Sequence, residues 1–406
     1  MRPEIVPSNP EEDRPQDEPD FSLVLGGPLY QLYLRTRLVR PPLELLTRRV
    51  TDISLICWLP LLLLAAFGGR LTSGVSIPFL QDVEVHVKFL IVLPMLISAE
   101  VVVNQRISKI VAQFNERSII AREDEPRFAE MIASAMRLRN SALIEIILIA
   151  AVVTFGFWMW RGSLKLTLSG ITASSWYAVD GGAGLHLTAA GSYYALVSLS
   201  ILRFIQLRWY FRLFIWYRFL WQVRGLSLKF NLYHPDRAGG LGFLAGSLIA
   251  FSPIFVAQSA SLAAVIFTRI RYAGDKLQGF TLEIAGVLLF FVVVLVLPLT
   301  FFTVQLERAA RTAKIEFGVL SSRYVNAFRS KWVLNGFHPG FLGTRDLQSL
   351  ADLGNSYNVV STISLLPVTQ RALVRLTILI ASPLLPLLLT VIPLSEIIQR
   401  LIKMMF

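Results

Sequence analysis

Charge is scarce in this chain. Lys, Arg, Asp and Glu supply 16% of 406 residues, where ordinary soluble domains carry about 25%. With 54% hydrophobic residues, a conventional water-facing domain is excluded as the first reading and membrane insertion replaces it. The single cysteine, Cys57, excludes an intrachain disulfide and gives no sign of an oxidising compartment. The four histidines, His86, His186, His234 and His338, form no i, i+4 pair and have no cysteine companion, so no metal-ligand spacing exists and no metal or cofactor is expected. Gly-x-Ser-x-Gly, P-loop and His-Glu-x-x-His motifs are missing, and the glycines near Gly239 follow no strand as a dinucleotide site requires. No catalytic residue is therefore assigned. The N-terminus lacks a basic region followed by an apolar one, so a cleaved signal peptide is not expected there. Its opening, "MRPEIVPSNPEEDRPQDEPDFS", is too polar to offset ordering entropy and is expected to be disordered. A basic juxtamembrane segment completes a first region, 1–50.

What is present is a series of apolar runs near the roughly 20 helical residues that cross a bilayer. They fall near 53–69, 88–104, 141–160, 191–212, 241–268, 280–304 and 372–397. The expected fold is an all-α polytopic transmembrane helical bundle of seven spans over 51–406. It becomes six if one of the first two, each short and proline-bearing, re-enters. The net charge of +12 would fit a nucleic-acid partner, but its distribution excludes one. Basic residues crowd the stretch before span one and the loops 105–140, 213–240 and 305–371, and thin out in the alternate loops. This is the positive-inside pattern, so those loops and the N-terminus are expected in the cytoplasm, the C-terminus outside, and the lipid bilayer is the expected partner. A bacterial inner membrane or its equivalent is the expected location, since helical spans rather than barrel strands dominate.

Span four continues without Pro or Gly from Ser192 to Gly225, about 50 Å of helix. Its Trp and Tyr residues interleave with Arg208, Arg212, Arg218 and Arg224, a composition suited to an interfacial belt with snorkelling arginines. These arginines scatter around the helix, which argues against a voltage-sensor stripe. Span six likewise runs on into "QLERAARTAKIEFGVLSSRYVNAF", expected to project from the bilayer. Two amphipathic helices are expected in the loops. One is in "DEPRFAEMIASAMRLRN" with Pro126 in its first turn, and one in "TRDLQSLADLGNSYN" with Thr344 as cap and Gly354 as stop. Period-two alternation in "QDVEVHVKF" and "SLKLTLSG" reads as strand, and Asp180-Gly181 before Leu185–Leu187 reads as a small outer β hairpin.

Two groups of residues could carry function. Glu100, Glu145 and Arg203 are charges inside apolar runs, which cost at least about 2.5 kcal/mol unless paired or functional. With Asn104 one turn from Glu100, they are expected to form a buried polar cluster, either lining a path or gluing helices together. The second group is the loop "NLYHPDRAGGLGFL". Here His234, Asp236, Arg237, Gly239 and Gly240 form either a hinge and helix cap or an anion site at a helix N-terminus. Three functions follow: a transporter or channel-like protein for an ion or small solute, a membrane sensor or assembly factor, and a membrane-embedded enzyme acting on lipid headgroups. The sequence names no protein partner and no oligomeric state.

Overall fold

The computed structural model describes residues 21–40, 43–162, 174–180, 185–334 and 345–390. These are mostly helical, with one two-stranded sheet. In chain order the helices are α1 (Pro28–Arg35), α2 (Leu46–Phe67), α3 (Val83–Glu116), α4 (Glu125–Arg139), α5 (Ala142–Gly162) and α6 (residues 189–223). They continue with α7 (Leu241–Ala273), α8 (Leu277–Leu334), α9 (Arg345–Ser361) and α10 (Gln370–Thr390).

Five of them, α2, α3, α7, α8 and α10, are long and apolar enough to cross a membrane. Their outward surfaces match that role. Leu55, Ile56 and Leu63 on α2, Leu289 and Phe290 on α8, and Val374, Ile378 and Leu385 on α10 all face away from the protein. The chain is a helical membrane protein, and the expected count of seven is not established. The apolar stretch of α5 is shorter, Ala142–Thr154, and is not among the five. The apolar window of α6 is interrupted by Arg203, Arg208 and Arg212.

α7 is the most enclosed of the five and packs against α3 and α10. Small residues make this close approach feasible: Ala250, Ala257, Ser259, Ala260 and Ala264 are all buried along it, as expected where helices meet in lipid. α6 runs unbroken from 189 to 223 apart from a wide turn at Tyr194–Ser198. α8, at 58 residues, spans roughly 85 Å at 1.5 Å per residue. That exceeds the roughly 30 Å of a bilayer core, and in its second half Leu306, Ala310, Ala313 and Phe317 form a small separate core with Val360 and Ile363.

On the other face, the hairpin pairs β1 (Ala178–Asp180) with β2 (Leu185–Leu187), antiparallel, Ala178 opposite Leu187. Gly181 and the candidate strand at 163–170 lie outside the described residues. The strand expected at Val83–Val87 is instead the first turn of α3. The Asp82 carboxylate decides this. One oxygen accepts the Glu84 and Val85 amides at 3.0 and 3.3 Å, and the other accepts the Trp176 indole at 2.8 Å. A capped start in front of a long apolar run outweighs three alternating valines.

Two further expectations change. α4 forms as expected, with Pro126 in its first turn and Phe128 and Ala135 buried. α9, however, runs through Gly354 to Ser361. A mid-helix glycine costs about 1 kcal/mol, and the fully buried Val360 beyond it offsets that. Thr344, its expected cap, lies outside the described residues. At the N-terminus the expected disorder does not extend to Phe21 and Ser22, which are buried, as are Leu23 and Val24, while residues 1–20 lie outside the described residues. Phe21 packs its ring 4.9 Å from that of Phe219, and this aromatic anchor draws the chain inward.

Gly191 on α6 lies under the hairpin segment so closely that a Cβ there would sit 2.0 Å from the Tyr177 carbonyl oxygen. Gly191→Ala is therefore expected to destabilise the protein by about 1–3 kcal/mol. Gly286→Ala, in a helix interior where a Cβ meets open space, should keep or slightly raise the melting temperature. Thermal unfolding in detergent micelles compares the two.

Candidate functional site

Glu100 and Glu145 come together, and the cations that hold them are Arg49, Arg208 and Arg212. Glu100 sits on the inward side of α3 with Ala99 and Val103. Its Oε1 accepts from Arg212 Nη2 at 2.9 Å, and its Oε2 lies 3.1 Å from Arg49 Nη2. Arg208 bridges the two carboxylates, 3.9 Å from Glu100 and 3.4 Å from Glu145. Arg208 and Arg212 are four residues apart, so both project from one face of α6. All five side chains are almost entirely buried, with Arg49 fully so.

Cation–π contacts add to the ion pairs. The Arg212 guanidinium lies 4.6 Å from the Trp209 ring centroid and that of Arg49 lies 5.5 Å from the Tyr33 ring. Contacts of this kind are strongest where water is excluded. The formal balance is three cations against two carboxylates. Arg49 Nε and Nη1 are buried without a hydrogen-bond acceptor among the described residues. The cluster is therefore electropositive and has unused donor capacity.

Residues 21–35 form a strap that closes this cluster. Ser22 Oγ donates to Asn104 Oδ1 at 2.5 Å, and Ser108 Oγ donates to the Phe21 carbonyl at 2.7 Å. Arg139 Nη1 donates to the Ser22 carbonyl at 2.6 Å. The Leu29 amide then donates to Glu145 Oε2 at 2.9 Å, and Arg208 Nη2 reaches the Gly26 carbonyl at 3.5 Å. Pro28 as the first helical residue leaves no orphan amide there, and Gly27, with φ +87°, supplies the left-handed turn into α1. Burial, reinforced by the Glu100 charge, pushes the Tyr33 phenol up to about 12, so it stays neutral. Burial and the neighbouring Arg208 push Arg139 down to about 10.

Of the expected cluster, Glu100, Asn104 and Glu145 are here and Arg203 is not among the partners of either carboxylate. Arg203 lies five residues before Arg208, near Tyr194. Arg49, expected as part of the topology signal, and Arg208 and Arg212, expected in the interfacial belt, are instead the buried partners of the two carboxylates. The i, i+4 spacing of Arg208 and Arg212 was the available signal.

The loop at 231–244 is organised around Asp236. Its Oδ1 accepts the amides of Ala238 and Gly240 at 2.9 and 3.2 Å, and its Oδ2 accepts that of Gly242 at 2.9 Å. Partial burial works against the charged form, but the three amides and His234 outweigh it and hold the Asp236 carboxyl below the usual range. Arg237, Gly239 and Gly240 all have positive φ. The Arg237 carbonyl accepts the Ser364 amide at 2.7 Å, and the Gly239 carbonyl accepts the Asn231 amide at 3.0 Å. His234 Nδ1 lies 3.0 Å from Asp236 Oδ1. The amides that would bind an outside anion are thus occupied by the chain's own carboxylate.

Of the other histidines, His86 lies on α3 rather than on a strand, and its Nδ1 accepts the Trp58 indole at 3.0 Å. His338 is outside the described residues. Among the described residues no group of three His, Cys, Asp or Glu side chains could hold a metal ion. The chain matches no family model, no curated protein and no solved structure.

Removing one partner of a buried ion pair leaves an uncompensated charge. Glu100→Gln is therefore expected to cost about 3–5 kcal/mol of stability. Adding Arg212→Met removes one stranded cation and should recover part of that loss, measured by thermal unfolding. A double variant no more stable than Glu100→Gln alone would mean that the two groups are not coupled.

Proposed function

We propose that the protein is a transporter or channel-like protein for an ion or small solute, and that the solute is a small anion. The observation that carries this is the electropositive cluster of Arg49, Arg208 and Arg212 around Glu100 and Glu145, within and beside the membrane spans. Intramembrane charge is expensive and marks ion and substrate paths. One more cation than carboxylate, with free guanidinium donors on Arg49, gives an anion a favourable place to pause. The strap at 21–35 acts as the gate. It is fastened to the cluster through only a few hydrogen bonds, so exchanging the Glu145 carboxylate for an incoming anion would release Leu29 and open the way.

A second polar group supports a route onward through the bundle. Gln206 Nε2 on α6 donates to Gln258 Oε1 on α7 at 3.4 Å, and Ser259 and Ser261 lie beside it. Pro253 inside α7 takes the Ile249 carbonyl out of the helix ladder, and the Ser252 hydroxyl donates to it at 3.0 Å, which adds a further polar contact to this stretch of α7. In this reading the spans occupy 51–406, residues 1–50 form an acidic tail followed by a basic juxtamembrane segment, and the basic face is cytoplasmic with the C-terminus outside. The membrane is a bacterial inner membrane or its equivalent.

Anion flux into vesicles reconstituted with the purified protein tests this. Glu145→Gln, which loosens the strap, should raise flux severalfold, and Arg49→Gln should abolish it. Glu130→Gln, exposed on α4, should change nothing. Flux equal to that of protein-free vesicles for wild type and for folded Glu145→Gln would overturn the reading.

A further inference from the structure

We propose that α1 divides a binding site for one anionic phospholipid, with the headgroup on its polar side and an acyl chain on its apolar side. Two cavities flank this helix. One, of about 830 Å³, is lined by Gly26, Gly27, Tyr30, Gln31, Arg35 and Arg139 among others. The second, of about 540 Å³, is lined chiefly by apolar side chains including Leu29, Ile53, Ile149, Val153, Ile201 and Phe204. Pro28 and Leu32 line both, so the two meet along the rim of α1. Both volumes fall in the range of ligand sites.

The chemistry of each half selects the same molecule. The larger cavity has two guanidinium groups and no carboxylate in its lining. Arg139 is held in place there by its bonds to Asn140 Oδ1 at 3.0 Å and to the Ser22 carbonyl. Basic pockets between membrane helices suit anionic headgroups. The smaller groove opens beside Ile149 and Val153, which are 50% and 61% exposed on the apolar outer side of α5. Exposed apolar surface of that kind on a membrane helix meets hydrocarbon, not water. A soluble anion would satisfy the cavity and leave the groove empty, and an uncharged lipid would fill the groove and leave Arg35 and Arg139 without an anion in the cavity they line. A diacyl phospholipid with a net negative headgroup satisfies both.

The groove reaches Glu145 at the edge of the arginine cluster, its one charged lining residue, but lipid binding needs no passage of anions through that cluster and stands whether or not flux is found. Its consequence is mechanical, because a lipid seated against Tyr30, Leu32 and Arg35 braces the strap from outside. The probe is a photoactivatable phosphatidylglycerol, present as a minor lipid in phosphatidylcholine nanodiscs holding the full chain. Crosslinks should map to residues 26–35 and to the 149–153 stretch of α5. Labelling should fall about tenfold or more in Arg35→Gln combined with Arg139→Gln, and also in Ile149→Trp, which fills the groove and leaves every charge in place. Arg35 is exposed, so Arg35→Gln alone gives a folded variant with a smaller fall.

Four outcomes would overturn the proposal. They are equal labelling by photoactivatable phosphatidylcholine, undiminished labelling of Ile149→Trp, and complete competition by inorganic phosphate, which would mark a free-anion site. The fourth is labelling seen only after removal of residues 1–20, which would assign the cavity to that acidic segment.

Discussion

The Glu100 carboxylate is the group on which the architecture turns. Buried in α3 and held by Arg49 from α2 and by Arg208 and Arg212 from α6, it ties three helices together where lipid supplies no hydrophobic force between them. Its charge is compensated locally, so the desolvation cost that would expel a lone carboxylate becomes an ordering constraint on its neighbours. Any arrangement that separates α2 or α6 from α3 strands an arginine in a low-dielectric interior. The bundle therefore has one strongly preferred packing at this level, while the apolar contacts of α7 with α3 and α10 are more adaptable.

The same charge cluster explains why an otherwise polar N-terminus enters the protein. Glu145 needs a further donor besides Arg208 and takes the Leu29 amide. Arg139 and Asn104 then hold Ser22, and Phe21 finishes the anchor among Trp216 and Phe219. Each of these bonds is worth about 0.5–3 kcal/mol, so the strap is held firmly as a set and weakly at any one point. A segment of that kind is suited to move as a unit. The lipid site on its outer side and the arginine cluster on its inner side would then act on one element from two directions.

Much of this is readable in the residues themselves. Apolar runs mark the helices, and the Pro126 turn, the Asp180 hairpin and the long extensions of α6 and α8 follow from local composition. Glu100 and Glu145 stand out because charge is conspicuous in an apolar run. What escapes is long-range pairing. Arg208 and Arg212 have the composition of snorkelling interfacial residues, and only the approach of α3, more than 90 positions away in sequence, distinguishes an inward arginine from an outward one. Val83, Val85 and Val87 mislead for the reverse reason, since their alternation is local and the Asp82 cap that overrides it is completed by Trp176. Asp236 lies between these cases. Its capping role is visible in its position before three glycines, but its occupation of the amides that would serve a ligand is a matter of geometry.

Amide hydrogen exchange across residues 22–29 tests most directly the claim that the charge cluster fastens the strap. In nanodiscs the wild-type protein should protect the amides of Val24, Leu25 and Leu29, which donate to Ser22 Oγ and Glu145 Oε2. Folded Glu145→Gln should lose protection at Leu29 first and then across the segment. Rapid exchange of these amides in the wild type, or protection unchanged by Glu145→Gln, would contradict the account.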